Sequence, residues 1–244
     1  MTRLGELTWP EAGRRAAAGV ILVVPVGSTE QHGPHLPIST DTDVALALAS
    51  VLAERRGDIL VAPPVAYGSS GEHAGFPGTL SIGQEAVELL LVELGRSASG
   101  FFDHLLLVSA HGGNELPVRR AVERLQAESR DVLAWSSRSP GDAHAGLTET
   151  SIQLFLCGRL VRRDLAVAGN TRPIAELMPV LRERSVQAVS ANGVLGDPRR
   201  ANVALGAELF EFLANDLQAA VRAWRGEASP PLSGELVENA SRTD

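Results

Sequence analysis

Residues 27–43 read Gly-Ser-Thr-Glu-Gln-His-Gly-Pro-His-Leu-Pro-Ile-Ser-Thr-Asp-Thr-Asp and follow directly on the apolar run Val20-Ile21-Leu22-Val23-Val24-Pro25-Val26. That run has the length and β-branched content of a buried strand. The loop behind it carries five groups able to bind a metal or a proton: Glu30, His32, His35, Asp41 and Asp43. Gly33, Pro34 and Pro37 keep the loop from continuing as helix or strand. Glu30 and His32 are two apart, so in extended backbone their side chains leave the same face. Asp41 stands where the next helix begins and returns a third group to that point. Taken alone, the stretch could equally be a polar surface loop with Thr40 or Asp41 capping a helix; the rest of the chain argues otherwise.

Outward from this stretch, strand and helix signals alternate. Thr8-Trp9-Pro10-Glu11 has the form of a capping box with an early proline, predicting a short helix to about residue 18. Apolar spacing predicts helices over 42–56, 84–97, 115–127, from about 148, and over 200–224. Strands are expected over 58–65, 104–109 and 132–136. Residues 165–194 suggest a strand, a Pro-rich segment at 173–179 and a short strand near 186–190. Residues 1–225 are expected to form a single domain, and 226–244, with few apolar residues, a mobile tail. Strand alternating with helix four times implies an α/β protein, a three-layer α/β/α arrangement with a mostly parallel sheet.

In such sheets, sites lie beyond the carboxyl ends of the strands. The polar clusters of this chain fall there: Glu30 and His32 after the first strand, the Gly-rich loop 66–82 after the second, His111 after the third, His144 after the fourth. Five of the six histidines lie in these loops and only His104 opens a strand. Core packing alone would not collect them so.

Composition narrows the chemistry. A net charge of −7 and the absence of any basic tract argue against a nucleic-acid partner. All 22 positive side chains are arginine, so no lysine can form a Schiff base or complete a P-loop. The run 16–26 is too short to span a membrane and lacks a cleavage site, so it reads as a strand and not as a signal peptide. One cysteine, Cys157, cannot form an internal disulfide, which fits a reducing cytoplasm.

Glu30, His32, Asp41, His111 and Glu149 form a mixed nitrogen and oxygen set without thiolate, suited to Zn, Mn or Fe(II). A bridging carboxylate, for which Asp41 is the candidate, would make a two-metal site with ions about 3.5–4 Å apart, able to acidify a bound water. His144 would pass a proton to a leaving nitrogen. Tyr67, Ser69, His73 and Asn114, on loops at the same rim, are candidate substrate contacts. His111-Gly112-Gly113-Asn114 and Gly68 to Gly71 could instead cradle a phosphate, which would make this a nucleotide- or phosphate-binding protein.

These residues resemble the creatininase (creatinine amidohydrolase) family. The matching stretches are 25–37 with its Glu-Gln-His-Gly-Pro-His block, Thr-Asp-Thr at 40–42, 71–79, His-Gly-Gly-Asn at 111–114, His-Ala-Gly at 144–146, Glu-Thr-Ser at 149–151 and Gly-Asp-Pro at 196–198. The resemblance implies a three-layer fold, two divalent metals, hydrolysis of a carbon–nitrogen amide bond, and a homo-oligomer, often a hexamer. Glu30, His32, Asp41 and His111 match its metal ligands, Asp41 as the bridge, and His144 its catalytic histidine. Two departures stand out. Gly113 replaces a family glutamate, for which Glu149 is the expected substitute, and only Trp135 lies near these loops where creatininase closes tryptophans over its ring. Within the family, Leu-Thr-Trp-Pro-Glu and Ser-Ala-His-Gly-Gly-Asn-Glu resemble the branch that trims a C-terminal Val-Tyr dipeptide from the modified mycofactocin precursor peptide. Creatinine or a formamide is the alternative substrate.

Overall fold

The computed structural model describes residues 3–137 and 141–227. The apolar run forms β1 (Ile21–Val26), buried at every position. It pairs in parallel on both edges, aligning Ile21 with Ile59 of β2 (Ile59–Val61) and with His104 of β3 (His104–Ser109). β3 carries β4 (Asp131–Ser136) in turn, so the sheet order is β2-β1-β3-β4. A parallel strand covered on both faces has no solvent side, which is why its sequence is unbrokenly apolar.

Alternate residues of β1 supply two cores. Ile21 and Val23 pack with Leu48 and Leu52 of α2 (Thr40–Arg55), Ile152 of α5 (Leu147–Cys157), and Leu213 and Leu217 of α8 (Val203–Trp224). Leu22, Val24 and Val26 pack with Val87 and Leu91 of α3 (Gln84–Ala98) and Val118 and Leu125 of α4 (Glu115–Ala127). Each such aliphatic side chain contributes about 1.5–3 kcal/mol on burial. Helices therefore cover both faces, and the fold is the three-layer α/β/α arrangement expected. At the N-terminus α1 (Trp9–Ala17) starts on the anticipated capping box, with Thr8 N–H donating to Glu11 Oε2 at 2.7 Å.

Residues 165–194 depart from expectation. Neither suggested strand forms; α6 (Ile174–Glu183) runs through the Pro-rich segment with Pro179 inside it, and α7 (Val186–Val189) is a single turn. Leu177 and Leu181, one helical turn apart, pack with Val186, Val189 and Leu195. That shared apolar face outweighs the hydrogen bond lost at Pro179. Past α8, Arg56 pairs with Glu227 at 2.7 Å; the rest of the expected mobile tail lies outside the described residues.

All four strands point the same way, so their following loops meet at one edge. Among the described residues, no helix is long and apolar enough to cross a membrane.

Candidate metal centre

Glu30 lies at the middle of that edge, fully buried, and neither of its carboxylate oxygens accepts a hydrogen bond. A buried carboxylate left without donors is costly unless a cation meets it. Around it stand His111 Nε2 at 3.2 Å from Oε2 and His73 Nε2 at 3.3 Å from Oε1. Asp41, in the first turn of α2, faces two ways: Oδ1 is 3.2 Å from His32 Nε2 and Oδ2 is 3.1 Å from His111 Nδ1. Ser28 donates its hydroxyl to Asp41 Oδ2 at 2.7 Å. Glu149, in the first turn of α5, accepts from Ala145 N–H at 2.6 Å and holds Oε2 3.8 Å from His32 Nε2.

Backbone carbonyls settle which nitrogen each of three histidines turns inward. His32 donates from Nδ1 to Glu30 O at 3.2 Å, leaving Nε2 towards Asp41. His111 donates from Nε2 to Ser69 O at 2.9 Å, leaving Nδ1 towards Asp41. His144 donates from Nε2 to Gln31 O at 2.8 Å, leaving Nδ1 3.9 Å from both Glu30 Oε1 and Glu149 Oε2. Such outer partners orient ligating imidazoles and fix their tautomers. Ligand-competent atoms gather in three groups, Glu30–Asp41–His111, His32–His144–Glu149 and Glu30–His73–His144. Buried carboxylate oxygens beside imidazoles that each turn one nitrogen inward, able to shed its proton to a metal, are a donor set that fits divalent cations.

The electrostatics say the same. Burial opposes charge on His32, yet Asp41, Glu149 and Glu30 carry its pKa up to about 10. His111 likewise rises to about 10 against its burial, because Glu30 and Asp41 adjoin it. Burial raises Glu30 to about 7, although His111 pulls the other way. Burial would raise Asp41 too, but His32 and His111 hold it well below the usual carboxylate range. His144 and His73 are pushed down, mainly by burial and then by the charge on His32, His73 to about 3. The acidic nest thus holds protons on His32 and His111 where cations would sit.

This nest floors a cavity of about 1070 Å³, walled on one side by Ile174, Met178 and Leu181. No tryptophan lines it: Trp135 packs in the core and donates to Asp216, while Trp9 is exposed on α1 and Trp224 closes α8. A Cβ at Gly113 would lie 2.2 Å from Ser69 O and 2.5 Å from His111 Nε2, so no side chain can stand there. The neighbouring carboxylates are instead Glu149 on the His32 side and Glu72, whose Oε1 is 3.9 Å from His111 Nε2.

The structure brings Glu30, His32, Asp41, His111, His144 and Glu149 together. Of the expected substrate contacts, Ser69 and His73 line the cavity, whereas Tyr67 is half exposed and stands off its wall. Asn114 is buried below it, accepting from Ser69 N–H and donating to Gly27 O, and so ties two loops together. Ser28, Gln31 and Glu72 were not singled out from the sequence. Only Ser28 left a signal there, being two residues before Glu30 and so on the same face of extended backbone.

A parallel sheet under a rim of convergent carboxylates and imidazoles frames a candidate metal centre, and similarity to known proteins makes the chain a metal-dependent hydrolase. The chain belongs to the creatininase family: the family model, described as creatinine amidohydrolase, matches residues 5–221. It is 50% identical over 212 residues to the mycofactocin precursor peptide peptidase of Mycolicibacterium smegmatis, covering 84% of this chain and 85% of that one. Among solved structures it is similar to a manganese creatininase (26% identity, TM-score 0.79, covering 91% of this chain and 98% of that one). A mutant creatininase of Zn–Zn type is equally similar, at 26% identity and TM-score 0.79, covering 91% and 97% of the two chains.

Proposed function

We propose that this chain is a metal-dependent peptidase that removes the C-terminal Val-Tyr dipeptide from the modified mycofactocin precursor peptide. The observation that carries the hydrolase reading is Glu30, buried with neither oxygen hydrogen-bonded and set among the imidazoles of His73, His111 and His144. A peptide in place of a small ring is supported by the cavity of about 1070 Å³ without a tryptophan lid, and by the identity of 50% to a peptidase against 26% to creatininases.

Two divalent ions, Zn, Mn or Fe(II), would be held by Glu30, Asp41 and His111 on one side and by His32, Asp41 and Glu149 on the other, Asp41 serving both. When bound, they polarise the scissile carbonyl and lower the pKa of a water they share with it. His144 is neutral at pH 7, anchored through Nε2–H, and offers Nδ1 to the reacting groups. It takes a proton from the attacking water and returns it to the departing amine nitrogen. The apolar wall of α6 excludes water from the peptide side chain next to the cut. The enzyme acts in the cytoplasm as a homo-oligomer, a hexamer by family resemblance, with residues 1–225 as its single domain. The exposed Leu89, Leu90 and Leu94 of α3 offer apolar surface for subunit contact.

Mass spectrometry of the modified precursor after incubation with Mn-, Fe(II)- or Zn-loaded protein tests this. A product short by the terminal dipeptide, absent when a chelator is present, supports it. An intact peptide in the presence of fully loaded protein overturns it, and turnover of creatinine or a formamide by that same protein would put a small-amide hydrolase in its place.

A further inference from the structure

Two arginines line the cavity above the centre, Arg119 on α4 and Arg184 at the end of α6. The chain has no lysine, so among the described residues these are the permanently positive side chains of the cavity wall. Both are exposed. Neither guanidinium has a hydrogen-bond or ion-pair partner among the described residues, whereas Arg55, Arg56, Arg96, Arg172 and Arg199 each meet a carboxylate. Glu115, one helical turn before Arg119, stands where an ion pair could form, yet none does. Both arginines are therefore free to meet an anion that enters the cavity.

The wall beside them fits what such an anion would carry. Ile174, Met178 and Leu181 recur at i, i+4 and i+7 on one face of α6, and Arg184 follows at its C-terminal end, so an apolar stripe ends in a cation. A peptide whose last residue is apolar presents the same pair, a side chain that gains from burial beside a charged α-carboxylate. That carboxylate must be held away from the centre if the scissile carbonyl is to occupy it. Two extended residues span at most about 7 Å. Glu115 lines the cavity four residues after His111, and Arg119 lies one turn further on, about 6 Å of helical rise. We propose, resting on the peptidase reading, that Arg119 and Arg184 clamp the free α-carboxylate of the departing dipeptide and so set how far from the chain end the cut falls. A guanidinium meets a carboxylate through two parallel N–H donors, a fit that a neutral carboxamide does not offer. Met178 and Leu181 cover the side chain of the terminal residue.

Steady-state kinetics of the Mn-loaded enzyme on the modified precursor peptide, and on the same peptide ending in a carboxamide, test the clamp. The parent should cleave the carboxamide with kcat/KM lower by roughly 10- to 100-fold, chiefly through KM, the scale of hydrogen bonds to a charged group. Arg119→Ala and Arg184→Ala should each lose a comparable factor on the free acid yet cleave the carboxamide as the parent does, so the preference for the acid shrinks. Arg119→Lys and Arg184→Lys keep the charge without the fork and should recover part of it. Undiminished cleavage of the carboxamide shows at the same time that a variant is folded and loaded. Equal cleavage of acid and carboxamide by the parent would overturn the clamp, as would the full parental preference kept in either alanine variant. Should an alanine variant fail to fold, the parent's own ratio and the matching lysine variant still decide. A parent that cleaves neither peptide would instead refute the peptidase reading, an outcome separate from these.

Discussion

Asp41 Oδ1 lies 3.2 Å from His32 Nε2, joining the first turn of α2 to the loop that leaves β1. The other Asp41 oxygen faces His111, so one carboxylate links groups delivered by two strands. Replacing Asp41 by Ala should remove both ions, read by metal analysis after gel filtration. Activity should fall by more than the roughly 10- to 100-fold typical of losing an outer partner. Retention of both ions in a folded Asp41→Ala protein would refute the bridging role.

Ser28 is such an outer partner, since it donates its hydroxyl to Asp41. Ser28→Ala should weaken metal binding by about 10- to 100-fold while leaving far-UV circular dichroism unchanged. Calorimetric titration of the metal-free protein measures it.

Metal uptake should release protons, because metal-free His32 and His111 titrate near pH 10 and are charged at pH 7. Ions must displace those protons, so apparent affinity should climb as pH rises from 6 towards 10. The sign for stability is the reverse. Both folded-state values lie above the unfolded 6.5, so the stabilisation these imidazoliums give the metal-free fold is complete below about pH 6.5. It is lost as pH rises through about 10. Calorimetry in buffers of different ionisation enthalpy counts the protons released; a count of zero would contradict the charge pattern.

Gly113 should tolerate no side chain. Gly113→Ala drives a Cβ against Ser69 O and His111 Nε2, and should cost about 1–3 kcal/mol, as overpacking does. Thermal unfolding detects this. A neutral result would mean that the 66–82 loop moves away easily.

The convergence of Glu30, His32, Asp41, His111, His144 and Glu149 was legible because they follow strands or open the next helix, and the polar loops after apolar runs are where parallel sheets place sites. Sequence spacing marked Glu30 and His32 as convergent, and the capping logic put Asp41 at a helix start. Gln31 was illegible: alternation in extended backbone directs it away from its neighbours, and only the approach of Gly193 and His73, 162 and 42 residues away, turns its amide into part of the centre. Tyr67 looked like a contact because it shares a loop with Ser69, yet two residues along irregular backbone suffice to move a side chain off the cavity. In α6 the density of proline obscured the one-turn spacing of Leu177 and Leu181, whose partners lie in α7 and the loop before α8.

Anomalous diffraction from crystals of the Zn- or Mn-loaded protein tests the centre most directly. Two peaks are predicted, one among Glu30, Asp41 and His111 and one among His32, Asp41 and Glu149, with Asp41 touching both. A loaded protein whose peaks lie away from Glu30 and Asp41 would contradict it.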